Sequence, residues 1–313
     1  MITVVGEALI DLVNVEGRRF DALPGGSPLN TAVGIRRLGE PTAVMVRLGR
    51  DAFGRMLRRH AEASGLDLRA AAPADEPTTL AVVTVDEVGH ADYDFYVEGT
   101  ADWQWTDAEL AALPEQTAIL HTGSLASWIA PGEGAIAALV DRVRADVLIS
   151  YDPNIRPRLL GTPAQARPLI ERSVAAAHVV KASEEDIGWL YPDRTPPQVA
   201  ADWSASGPDL VVITLGGDGM IAQTAGGLRV RRAAVPITLA DTMGAGDAFT
   251  AGLLTALTRR QLDHPGAAAD LTAERLAEIL DEAGLVAALT CERPGADPPT
   301  AEEFAAARHR LPG

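Results

Sequence analysis

The sequence predicts an α/β fold: a mainly parallel central sheet flanked by helices, with a small β-sheet projecting from it as a lid. Three observations carry this prediction. Short apolar runs alternate with segments of helical spacing along most of the chain, the mark of strand–helix–strand units. Two stretches, about 13–20 and 79–99, instead alternate at period two around turn residues, and neither needs a helix. Hydrophobic residues make up 47% of the 313 residues, enough to bury a large core and to set disorder aside. Residues 1–313 read as a single domain, without internal repeats or low-complexity linkers.

Taken in order, Met1 to Ile10 reads as a buried strand. Val13 to Phe20 alternates around Glu16-Gly17 and predicts a hairpin. Leu29 to Leu38 has helical spacing of Ala, Val, Ile and Leu, and Gly39 follows as a stop. Ala43 to Leu48 predicts a strand and Phe53 to Ala63 a helix that ends near Gly65. Thr79 to Val85 and His90 to Val97 predict a second hairpin around Glu87-Val88-Gly89. Later strands are expected at Ala118 to His121, Val147 to Tyr151, His178 to Lys181 and Leu210 to Leu215. Helices are expected between them at Glu133 to Arg144, Ala164 to Ala176 and Glu184 to Leu190. Residues 70–77 and 192–197, rich in Ala and Pro, read as surface loops.

The formal net charge is −16 and no basic stripe runs along the chain, which argues against a nucleic-acid partner. Such a protein can bind a polyanion only by concentrating positive potential locally, at a helix start, a metal ion or one or two Arg. The single cysteine, Cys291, excludes an intrachain disulfide and reads as a small buried side chain. No apolar run approaches the roughly 18 residues of a membrane span, and the N-terminal stretch lacks a signal-peptide pattern. A cytoplasmic protein without a membrane partner is expected. Lysine occurs once, at Lys181, among many Arg, a bias that reads as genome composition.

The sharpest feature is Asp241-Thr242-Met243-Gly244-Ala245-Gly246-Asp247, followed by Ala248-Phe249 and a helix to about Thr258. Gly244 and Gly246 allow a tight turn into that helix. Amides of Ala245, Gly246 and Asp247 would then face one spot and favour an anion. Asp247, in the first turn, could reach a substrate hydroxyl beside it. One segment could thus hold phosphoryl oxygens and activate a nucleophile, the combination that phosphoryl transfer needs. No G-x-x-x-x-G-K-[ST] string occurs, so a P-loop is not the phosphate cradle. Nor does a G-x-G-x-x-G follow the first strand, which argues against a dinucleotide oxidoreductase.

The string from Asp241 to Phe249 resembles the C-terminal signature of the ribokinase, or PfkB, family of carbohydrate kinases, with Met243 where Thr is usual. Pro24-Gly25-Gly26-Ser27-Pro28-Leu29-Asn30-Thr31-Ala32-Val33 resembles the N-terminal signature. The resemblance runs from Gly6 to about Pro299 and implies a ribokinase-like fold and an ATP-dependent sugar kinase. It implies Asp247 as catalytic base, with Gly244, Ala245, Gly246 and Arg156 stabilising the transferred phosphoryl group. Asp11, Gly25, Gly26 and Asn30 would form the sugar floor. Arg156 belongs to Asp152-Pro153-Asn154-Ile155-Arg156, which follows a predicted strand at the sheet edge where α/β folds bind ligands. Lys181 and Ser183 in Lys181-Ala182-Ser183-Glu184-Glu185-Asp186 would line the nucleotide site. Asp186, in place of the family's usual Glu, and Glu185 would serve Mg²⁺, mainly through water. Thr214, Gly216 and Gly219 in Thr214-Leu215-Gly216-Gly217-Asp218-Gly219 resemble the nucleotide loop. Asp241 would help hold a monovalent cation such as K⁺, with carbonyls around Ala287 to Gly295.

The lid string Tyr93 to Asp102 looks most like fructokinase-type members, with Phe95 and Tyr96 toward the sugar. Members acting on 2-keto-3-deoxygluconate tend to carry an Arg for the substrate carboxylate where Val97 stands here. A carboxylate without that partner forfeits about 1.5–3 kcal/mol of charged hydrogen bonding. The resemblance therefore implies a neutral sugar, fructose first. A 2-keto-3-deoxygluconate, nucleoside or ribose kinase is the alternative, and a non-catalytic sugar sensor a further one. Family lids often pair between subunits, so a homodimer through the lid is also implied.

Overall fold

The computed structural model describes residues 1–85 and 91–311. The chain opens with β1 (Ile2–Val5), β2 (Leu9–Glu16), β3 (Arg19–Gly25), α1 (Ser27–Arg37), β4 (Thr42–Met45), β5 (Arg47–Gly49), α2 (Ala52–Ala63) and β6 (Ala72–Ala74). It continues through β7 (Leu80–Val85), β8 (Ala91–Tyr96), α3 (Asp107–Leu110), β9 (Ile119–Gly123), α4 (Gly132–Val143), β10 (Leu148–Asp152), α5 (Pro157–Leu160) and α6 (Pro163–Ala176). It then runs through β11 (Val179–Ser183), α7 (Glu184–Leu190), α8 (Pro196–Ser206), β12 (Leu210–Thr214), β13 (Met220–Thr224) and β14 (Arg229–Arg232). Helices α9 (Ala245–Arg259), α10 (Ala273–Cys291) and α11 (Ala301–Ala307) complete it.

The central sheet has the order β14-β13-β12-β11-β10-β9-β1-β4. It is parallel from β4 to β12, and β13 and β14 extend it antiparallel. Side chains of a strand alternate between faces, and both faces here are apolar. Leu210 and Val212 enter a core shared with α1, α9 and α10, while Val211 and Ile213 enter the opposite core with α4, α6 and α8. Such double burial is what lets these strands read as continuous hydrophobic runs.

A second sheet, ordered β3-β2-β7-β8, stands apart from the first. The expected hairpin at Glu16-Gly17 joins β2 to β3, with Asn14 Nδ2 donating to the Gly17 carbonyl at 3.1 Å. The expected turn at Glu87-Val88-Gly89 lies outside the described residues. Two predicted strands are each divided. Met1 to Ile10 splits after Val5, because the chain leaves the central sheet there and enters the small one as β2. Ala43 to Leu48 splits after Met45, and its second half pairs with β6 instead. In both places the side chains stay buried across the break, so hydrophobicity alone carries no sign of it.

Among the described residues no helix is long and apolar enough to cross a membrane.

Candidate active site

The parallel strands end on one edge of the central sheet, and the chain segments that leave that edge build the site. Helices α1 and α9 meet there. Their close approach runs through Gly34, where an added Cβ would lie 2.7 Å from Ala251 Cβ. Gly34 is one helical turn beyond Asn30, and Ala251 one turn beyond Asp247, so the same ridge brings those two polar residues together. Asn30 Nδ2 donates to Asp247 Oδ2 at 2.9 Å, and Ser27 Oγ donates to Oδ1 at 2.6 Å.

Gly244 caps α9 with a left-handed backbone (φ 71°), and a Cβ there would lie 2.5 Å from Ala296 Cβ. Asp247 follows in the first turn, half-buried. Burial raises its proton affinity above the ordinary carboxylate range; the Ser27 and Asn30 donors oppose this, Asp152 adds to it, and Lys181 opposes it. One expectation is corrected. The Ala245 amide donates to the Thr242 carbonyl at 3.2 Å and closes the turn. Among the described residues the amides of Gly246 and Asp247 have no such partner, and they are the ones left for an anion.

Behind this turn lies a buried ion pair. Lys181 Nζ, on β11, is 3.0 Å from Asp152 Oδ2 at the end of β10, and Thr250 of α9 reaches the same oxygen at 3.4 Å. Burial disfavours the Lys181 charge, but Asp152 and Asp186 outweigh it and raise its pKa. A Cβ on Gly246 would come within 2.9 Å of Lys181 Nζ, so glycine makes room for the ammonium.

Asp186 is buried at the start of α7. Its Oδ1 accepts the Ile155 amide at 2.7 Å, and its Oδ2 accepts the Ser183 amide at 2.9 Å and hydroxyl at 2.7 Å. A carboxylate offers about four acceptor sites. One remains, which suits a metal-bound water and not direct chelation. Burial, then Asp152, raises its pKa. Glu185 is exposed beside it. Ser183 spends its hydroxyl on the capping box of α7. Arg156 is held by Asn154 Oδ1 at 2.8 Å and by the Asn154 and Ile155 carbonyls. Among the described residues it forms no ion pair, so its charge remains available.

On the other side, Asp11 of β2 lies close enough to Arg156 and Asp247 to feel both charges. Burial pushes its pKa up to about 6; Arg156 opposes the shift and Asp247 adds to it. Gly25 faces Asp11 directly, since a Cβ there would overlap Asp11 Oδ2 at 2.1 Å. Gly26, the N-cap of α1, has φ 103° and packs on the Glu7 carbonyl. Asp11, Ala81 and Phe95 are register partners across the small sheet and share a face. Tyr93, two residues before Phe95, stacks on it with ring centroids 5.9 Å apart. Tyr96 is not brought to the site: it follows Phe95 directly in β8, points to the opposite face and is 61% exposed. Tyr93, not Tyr96, shares the face of Phe95 and Asp11, as the period-two rule applied to the lid string would have shown.

Asp241 ties two loops together, accepting the Met243 amide at 3.0 Å and the Gly295 amide at 2.8 Å. Thr214 and Gly216 sit at the exit of β12. Gly216 borders open space, whereas a Cβ on Gly219 would strike the Arg232 carbonyl at 2.1 Å; that glycine serves the turn into β13. Two wholly buried carboxyls at the root of the small sheet escaped the sequence reading. Glu7 Oε2 accepts the Ala126 amide at 3.2 Å, and Asp102 Oδ1 accepts the Ala8 amide at 2.9 Å. Their other oxygens are buried without a hydrogen-bond partner among the described residues. Burial pushes both up to about 7.

Known proteins are similar to this chain over nearly its whole length. The chain is 36% identical to a fructokinase of Rhizobium leguminosarum bv. trifolii, over all of this chain and 90% of that protein. A fructokinase from Xylella fastidiosa solved with bound ATP superposes with a TM-score of 0.88 at 26% identity, covering 98% of both chains. A Vibrio cholerae O395 fructokinase with fructose, ADP and calcium gives 0.81 at 27%, covering 100% of this chain and 99% of that one. An aminoimidazole riboside kinase from Salmonella enterica, complexed with aminoimidazole riboside and an ATP analog, gives 0.82 at 27%, covering 97% and 98%. Residues 1–303 match the pfkB family carbohydrate kinase description. With both signature segments converging on Asp247, the chain belongs to the pfkB family of carbohydrate kinases, phosphotransferases whose acceptor is an alcohol.

Proposed function

We propose that the chain transfers the γ-phosphoryl group of ATP to a hydroxyl of a small neutral sugar, with fructose the first candidate. The observation that carries this reading is the position of Asp247. It is held by side chains of α1 on the sugar side and stands in the same helical turn as the free amides of Gly246 and Asp247 on the phosphate side. Asp11, Gly25, Gly26, Asn30 and Phe95 orient the sugar. Asp247 takes the proton from its hydroxyl, while the two amides and Arg156 hold the charge that develops on the phosphoryl oxygens. Ser183, Thr214 and Gly216 border the nucleotide, and Lys181 supports the turn at Gly246 from beneath. Mg²⁺, when bound, neutralises phosphate charge, with Asp186 and Glu185 reaching it through water. Asp241 and the loop it secures at Gly295 form the place for a monovalent cation. Two lines support fructose: Val97 replaces an Arg that would pair with a sugar-acid carboxylate, and the fructokinase of Rhizobium leguminosarum bv. trifolii is similar over the whole chain.

The test is ADP release with ATP, Mg²⁺ and a panel of fructose, 2-keto-3-deoxygluconate, ribose and a riboside. Fructose should give the highest kcat/KM. The riboside kinase similarity makes a nucleoside acceptor the second reading, and faster turnover of the riboside would establish it. No release with any acceptor would favour a sugar sensor.

We also propose a homodimer through the small sheet. Phe20 and Tyr96 lie on the face of that sheet opposite Asp11 and are 43% and 61% exposed, aromatic surface of the kind that pairs. Sedimentation of wild type against a Phe20→Glu/Tyr96→Glu variant tests it; a monomeric wild type refutes it.

A further inference from the structure

Ser27 occupies the first helical position of α1, one residue past the N-cap position at which a hydroxyl would serve its own helix start. Its hydroxyl is free for another partner. The cap is Gly26, and no side chain caps the helix. The hydroxyl has one proton to donate, and it goes to Asp247 Oδ1 at 2.6 Å, from a side chain only 9% exposed. Asn30 gives one amide proton to the other oxygen at 2.9 Å. Both oxygens of the proposed base are therefore gripped from the sugar-side helix, each with a lone pair to spare.

The surroundings make that grip consequential. The carboxylate is crowded, and the charged groups facing it are mostly of its own sign. Asp152 at the end of β10 and Asp11 of β2 both disfavour its ionised form, and Lys181 of β11 is the cation that favours it. A general base must be ionised before it can accept a proton. Hydrogen bonds to the charged form are one of the few means of keeping it so in a buried setting.

We propose that Ser27 is a positioning residue for the reaction: its hydroxyl fixes the orientation of the Asp247 carboxylate and keeps it in the proton-accepting form. The inference rests on Asp247 being the base, and it adds that a residue outside the reacting atoms sets the pH range in which that base works.

The experiment is the pH dependence of kcat/KM for the best acceptor of the panel, in wild type, Ser27→Ala, Ser27→Thr and Asp247→Asn. Removing one charge-assisted donor should move the acid limb of Ser27→Ala up by about one pH unit. Below the wild-type limb the variant then runs roughly tenfold slower, and the gap narrows as pH rises. Ser27→Thr, which keeps the hydroxyl, should restore the limb. A limb that stays in place in Ser27→Ala overturns the proposal. So does an equal loss at every pH, which would make the hydroxyl a sugar contact only. Should Ser27→Ala lose its thermal transition, Ser27→Cys, with its weaker donor, takes its place in the same profile. Asp247→Asn separates the two levels of inference. If it turns over normally, the base assignment fails. If it is inactive while the Ser27→Ala limb is stationary, only the role of Ser27 fails.

Discussion

Lys181 Nζ stands 3.0 Å from Asp152 Oδ2, and the two side chains are only 6% and 3% exposed. They come from neighbouring parallel strands and fill the space under Gly246. Removing the lysine leaves a buried carboxylate with no cation beside it, held among the described residues only by the Asn154 amide at 3.2 Å and a long contact from Thr250 at 3.4 Å. We predict that Lys181→Met destabilises the fold by about 3–5 kcal/mol, measured by urea unfolding. The double variant Lys181→Met/Asp152→Asn should recover part of the loss, since no charge is stranded. A single-variant loss under about 1 kcal/mol would show that the pair is dispensable.

Asp247→Asn keeps the shape of the side chain and its contact with Ser27, but cannot accept a proton. Turnover should fall by about 10²–10⁴, with the sugar KM changed little. Steady-state ADP release measures both. A fall in kcat/KM carried wholly by KM would assign Asp247 to binding instead.

The small sheet yields a paired prediction. Phe95 shares a face with Asp11, and Tyr96 lies on the other face. Phe95→Ala should raise the sugar KM roughly tenfold, about 1.4 kcal/mol of lost binding, whereas Tyr96→Ala should shift it by less than about twofold. Equal effects would mean that the strand turns over on binding.

Glu7 supplies a pH signature. Its folded-state pKa is raised from 4.5 to about 7, chiefly by burial, so the folded state keeps a proton that the unfolded chain releases. Stability is then highest below pH 4.5 with respect to this group. It declines as pH climbs toward 7 and is level above that, a total of about 3 kcal/mol. Glu7→Gln cannot titrate. Its melting temperature should therefore gain on the wild type between pH 5 and pH 7.5. Parallel curves for the two proteins would rule out the buried-acid account.

Much of this was legible in advance because parallel strands covered on both sides leave dense apolar runs. The expected strand Leu210 to Leu215 appears as Leu210–Thr214, and the expected helix Glu184 to Leu190 is α7 itself. The two signature segments supplied Asn30 and Asp247, the segment Gly6 to Asp11 supplied Asp11, and the fold brings the three near one another. What escaped was of three kinds. Helix α8 begins at Pro196, inside a stretch read as loop because its prolines mask a helix start. Glu7 and Asp102 are single acids in apolar runs, and only three-dimensional burial reveals them. The partnership of Ser27 with Asp247 spans 220 positions, and no local pattern announces a contact between the first turns of two distant helices.

The lone lysine has a practical meaning. Arginine carries five donors on a broad plane, more than the slot between Asp152 and Gly246 could satisfy, so a compact ammonium is retained there in a chain otherwise committed to arginine. Apart from the chain terminus, it is also the sole primary amine in the sequence. An acylating reagent offered to the folded enzyme thus has one internal target, and that target is shielded. Uptake of label at Lys181 becomes a direct gauge of how often the turn over Gly246 opens, readable without substrate, product or turnover.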